Sequence, residues 1–108
     1  MKELRGFPQL RSDRHASTLM HDEANSRIVF FALEPGQDVP VHTSSATVVV
    51  TIVDGSGTFI GDGVKSLMKT GDSVVYEPKE PHGMIAGEHG LRFVAVISPS
   101  PAHDSSRR

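Results

Sequence analysis

The chain has 108 residues and a formal net charge of −2, with scattered basic residues that leave no electrostatic footprint for nucleic acid. It contains no cysteine, which excludes thiolate metal centres, cysteine nucleophiles and a disulfide framework, and fits a reducing compartment, so a cytoplasmic location is expected. No apolar run suits a signal peptide or a membrane span, so neither secretion nor membrane binding is expected and a small molecule is the expected partner.

Residues 1–14 are polar, contain Gly6 and Pro8, and read as an N-terminal arm. Beyond them, short runs rich in Val, Ile, Thr and Phe alternate with Gly, Pro, Asp and Asn clusters, the pattern of an all-β sandwich or barrel. Strands are predicted at Ala16–His21, Arg27–Glu34, Val39–His42, Ala46–Val53, Gly57–Gly61, Val64–Lys69, Ser73–Glu77, His82–Ala86 and Leu91–Ser98. Asp62-Gly63 reads as a hairpin tip, and Gly87 to Gly90 as a reversal between the last two strands. The segment SPSPAHDSSRR lacks the apolar content to become ordered, so one barrel domain over 15–98 and a flexible tail over 99–108 are expected.

Ile28–Leu33 and Phe93–Ile97 are apolar at nearly every position, whereas a strand covered on one side alternates. Their second face needs a cover, either this chain's own second sheet with an arm or a second copy, and a homodimer is the simpler expectation.

Side chains two apart on a strand share a face, so an unbulged strand would turn His42, Ser44, Ala46, Val48, Val50 and Ile52 towards the barrel interior. A second imidazole from another strand would complete a two-nitrogen grip on a metal or a ligand oxygen. His82 is the candidate, with Met84 and Ala86 inward beside it, which makes an apolar pocket holding two imidazoles. His15, His21, His89 and His103 fall in or near turns and arms and read as surface residues. Glu77 and Glu80 flank Pro78 on the approach to His82 and could lend a carboxylate, although exposed loop charges are the commoner case.

The stretch Gly36 to Gly55 resembles the first motif of the cupin superfamily, with Gly36, His42 and Gly55 in register. The motif's second His is here Ser44 and its Glu is Val48, so two of the family's four metal-ligand positions carry no ligand. Gly71 to Ala86 resembles the second motif: Gly71 and His82 keep its spacing, its proline is shifted to Pro78, its glycine is Lys79 and its Asn is Ala86. The resemblance, to small RmlC-like bacterial cupins, implies a double-stranded β-helix or jelly-roll barrel of two antiparallel sheets. It also implies a divalent metal (Zn, Ni, Mn, Fe or Cu) at His42 and His82, held weakly, with Ser44, Val48 and Met84 lining the pocket. A small-molecule-binding module is the leading expectation. A minimal metal-dependent dioxygenase or isomerase/epimerase of a small polar metabolite is one alternative, and a non-catalytic structural subunit with a vestigial pocket is another.

Overall fold

A computed structural model describes residues 1–101; no helix in it is long and apolar enough to cross a membrane. Seven strands run in chain order: β1 (Ala16–Glu23), β2 (Ser26–Leu33), β3 (Asp38–His42), β4 (Thr47–Gly61), β5 (Val64–Lys69), β6 (Ser73–Tyr76) and β7 (His82–Ser98). All pairings are antiparallel.

Two strands build both sheets. The first half of β4, Thr47 to Asp54, and the second half of β7, Leu91 to Ser98, lie side by side in a sheet of order β1-β2-β7-β4-β6. Their other halves, Gly57 to Gly61 and His82 to Ala86, pair again in a sheet of order β3-β7-β4-β5. The result is a jelly-roll barrel whose core lies between the sheets, around Leu33, Val50, Ile52, Phe59, Leu91 and Phe93. Phe93 stacks on Phe31 at 4.7 Å and meets Phe59 edge-on at 6.0 Å.

The four separate strands expected at 46–53, 57–61, 82–86 and 91–98 are therefore two long, bent ones. Between Ile52 and Asp54 β4 carries one extra residue, a bulge, and between Gly55 and Gly57 its two residue steps face five on β7, Ala86 to Leu91, so the surplus residues Gly87–Gly90 lie on β7; both irregularities bend the strands at this corner. At this corner Gly55 adopts a φ of 91° and Gly90 one of 78°, and a Cβ on Gly55 would lie 2.1 Å from the Gly90 carbonyl oxygen. Glycines that read as a loop signal serve here to let two strands turn a corner in contact. Asp62-Gly63 does form the expected hairpin tip, both residues having positive φ between the paired Gly61 and Val64.

The second face of β2 and β7 receives part of its cover from the arm: Phe7 stacks on Phe30 at 4.6 Å. Ile28, Val49, Val94 and Val96 on that face stay half-buried, and Val75 beside them is exposed. At the other end, Ser100, placed in the tail from sequence, is fully buried; its amide donates to the Ala24 carbonyl and its hydroxyl to Asp22. Residues 102–108, His103 among them, lie outside the described residues.

Candidate functional site

Between the sheets a cavity of about 570 Å³ opens to solvent. His42, His82, Ser44, Val48 and Met84 all line it, so the structure brings the five sequence-derived residues together.

His42 reaches the cavity by a device the alternation argument lacks. On β3, Val39 pairs with Met84 and His42 with His82, so three residue steps on β3 face two on β7. One residue is extra, and such a bulge switches which side chains face inward. Without it Val41 would share the face of Val39; with it Val41 is exposed and His42 stands opposite His82. The unbroken strand expected from His42 to Ile52 is instead interrupted between β3 and β4, so only Ala46, Val48, Val50 and Ile52 of that set are buried. Gly83 makes the bulge possible: a Cβ there would lie 2.8 Å from the Val39 carbonyl oxygen and 3.0 Å from the Val41 nitrogen.

The two imidazoles differ in exposure. His82 is 3% exposed, sandwiched between the Tyr76 ring at 4.5 Å and the His42 ring at 4.3 Å, whereas His42 sits at the rim and is exposed. His42 Nδ1 lies 2.8 Å from the Pro40 carbonyl oxygen and His82 Nδ1 lies 2.9 Å from that of Glu80. A carbonyl can only accept, so each Nδ1 carries a proton and each neutral ring keeps its Nε2 lone pair for a metal or a ligand donor. Burial pushes the His82 pKa down, the bond to the Glu80 carbonyl offsets part of this, and His42 adds to the lowering. Burial, reinforced by Glu80, pushes the Tyr76 phenol up to about 12; its hydroxyl is buried without a hydrogen-bond partner.

Ser44 Oγ accepts a hydrogen bond from the Ala46 amide at 3.1 Å, and Val48 offers no donor atom. Among the described residues no three His, Cys, Asp or Glu side chains come together as a metal group. The donors therefore do not fit the four-ligand centre that the motif resemblance implies; two imidazole nitrogens are what remains. Glu77 and Glu80 do not line the cavity, and Glu80 Oε1 accepts from the Glu77 amide at 3.0 Å. His15 Nδ1 donates to the Asp38 carbonyl oxygen at 3.0 Å; His15, His21 and His89 lie outside the cavity lining.

Sequence reasoning missed two cations on the wall, Arg27 and Lys79. The parity of β2 held the first: Arg27 lies on the same side as Phe31, opposite Ile97, which also lines the cavity. Lys79 occupies the place of a motif glycine and retains the backbone a glycine would favour, with a φ of 69°, while its amide donates to the Ser44 carbonyl at 2.7 Å.

Residues 29–97 match the family described as the cupin domain. Among solved structures, an RmlC-like cupin protein from Desulfovibrio desulfuricans is similar at 28% identity and a TM-score of 0.83, covering 92% of this chain and 97% of that one. An RmlC-like cupin from Shewanella frigidimarina is similar at 22% identity and a TM-score of 0.76, covering 81% of this chain and 78% of its own. A Thermus thermophilus protein superposes with a TM-score of 0.85 at 19% identity, over 94% of this chain and 98% of that one. Identities as low as the last two speak for the fold alone. No curated protein matches the chain.

Proposed function

The chain belongs to the cupin family, and we propose that it is a small-molecule-binding module in which His42 and His82 form the polar anchor of an otherwise largely apolar cavity. The observation that carries this reading is the pair itself: two rings 4.3 Å apart on the cavity wall, each with Nδ1 committed to a backbone carbonyl and Nε2 left free. The volume lies within the range of small-ligand sites, and most of the lining is apolar.

A divalent ion held by these two nitrogens needs water or a ligand oxygen to complete its shell, so its affinity is weak beside that of a four-ligand site. Among the described residues no carboxylate lines the cavity, so an acid–base reaction there would have only the two imidazoles to serve as its acid and base.

The test is metal content of untagged protein by inductively coupled plasma mass spectrometry after dialysis, followed by zinc titration of wild type and of the His42→Ala, His82→Ala double variant. Substoichiometric metal after dialysis, with reversible zinc binding that the double variant loses, supports the reading. Stoichiometric, dialysis-resistant metal, or turnover of a defined substrate, overturns it.

The protein acts as a homodimer in this reading, joined through the outer face of the β1-β2-β7-β4-β6 sheet, where Val49, Val75 and Val96 form an apolar strip. Sedimentation equilibrium tests this, and a monomer at micromolar concentration overturns it.

A further inference from the structure

Among the described residues the charged side chains that line the cavity are of one sign: Arg27 and Lys79 line it and no Asp or Glu does. Arg27 is 26% exposed and donates through Nη2 to Asp22 Oδ2 at 3.1 Å, yet its Nε is buried with no hydrogen-bond partner. That nitrogen is closed off from the cavity, so what Arg27 offers a ligand is the remainder of its guanidinium, for which a carboxylate is the acceptor that matches in charge and in planar geometry. Lys79 is held in a left-handed backbone, φ 69°, where a glycine would be relaxed, and residues kept in such conformations cluster at functional sites. On the same sheet as Arg27 the wall is apolar, with Phe31 and Phe93 stacked on one another and Val48, Val50 and Ala95 beside them.

We propose that the cavity selects a small organic monoanion, with its carboxylate accepting from Arg27 and its apolar body lying against the Phe31–Phe93 wall. This rests on the reading of the cavity as a binding chamber and adds the chemical class of its ligand. Lys79 at the mouth contributes long-range attraction and a second donor. The imidazole pair stays available to a further polar group of the ligand.

The experiment uses the full chain and four probes, phenylacetate and hexanoate with their neutral amides, each titrated by isothermal calorimetry against wild type, Arg27→Gln and Arg27→Lys. The carboxylates should bind wild type roughly tenfold more tightly than the amides. Arg27→Gln should lose that preference, and Arg27→Lys should retain part of it. Equal affinity of acids and amides for wild type, or a preference that survives Arg27→Gln, overturns the anion selectivity and leaves the chamber reading standing. Absence of binding by all four probes at millimolar concentration overturns both. The wild-type comparison of acid with amide decides the matter without any variant, so a folding defect in Arg27→Gln does not remove the test.

Discussion

Replacing Gly83 by Ala is the most direct way to ask whether the β3 bulge sets the histidine pair. The new methyl would meet backbone atoms on three sides, at 2.8 Å from Val39 O, 3.0 Å from Val41 N and 3.1 Å from Val41 Cα. Carbon contacts settle near 3.5–4.0 Å, so β3 must retreat by about 0.5 Å or more, and no flexible side chain is there to yield instead. Overpacking of this kind costs about 1–3 kcal/mol, and the reduced freedom of the unfolded chain returns about 0.4–1 kcal/mol of it. A net loss of about 1–2 kcal/mol corresponds to a fall of roughly 5–15 °C in Tm for a domain of this size. Because the strand that retreats carries His42, ring contact with His82 should loosen as well. Urea denaturation reads the first effect, and histidine ring chemical shifts read the second. A variant as stable as wild type, with His42 and His82 shifts unchanged, would refute the argument that this glycine admits the bulge.

Three further outcomes follow from the same region. His82 holds its pKa below the ordinary 6.5 because it is buried, so as pH falls through about 6.5 the unfolded chain takes up that proton before the native one. Stability from this group is whole above that value, declines as pH falls towards the lowered native pKa and then levels; His82→Gln should flatten this slope in urea titrations, and an identical slope would refute it. Lys79→Gly relieves the left-handed backbone at φ 69° and should raise stability by about 1 kcal/mol, while weakening carboxylate binding; a destabilised variant would contradict the strain. Tyr76→Phe removes a buried hydroxyl that has no partner, and should leave stability unchanged or raise it by about 1 kcal/mol; a loss above that would mean the hydroxyl is satisfied by an ordered water.

Most of the barrel was legible in the chain because its strands are short, β-branched and separated by turn residues whose φ requirements are local. The predicted Val64–Lys69 strand has the observed bounds for this reason, the Asp62-Gly63 tip fixing one end and Gly71-Asp72 the other. What failed was the reading of glycine at Gly55 and Gly87–Gly90. Turn and corner draw on the same backbone freedom, and only the partner strand, with the Gly90 carbonyl against Gly55, decides between them. Within the site, Val48 and Met84 follow from alternation along their own strands. The inward turn of His42 does not, because the extra residue on β3 is defined by pairing with β7, a contact some forty residues away in sequence. Arg27 was within reach of parity on β2, but a cation near the start of an apolar strand reads as a solvated end until the cavity is seen to extend that far.

The passage of β4 and β7 through both sheets bears on how this molecule can come apart. Each is one strand, 15 and 17 residues long, paired in both sheets on either side of the corner, so pulling either sheet open strains the ladder of the other. The barrel has no half that can melt alone, and amide protons in the paired segments Thr47–Ile52 of β4 and Phe93–Ile97 of β7 have global unfolding as their route to exchange. The same long-range pairing makes the fold slow to assemble, since β4 must wait for β7 near the end of the chain before either sheet can close. A chamber walled by these two strands is correspondingly hard to deform: its shape is fixed by the element whose loss would unfold the protein, and adaptation to a ligand falls to the short strand β3 and to the Thr43–Ala46 connection at the rim.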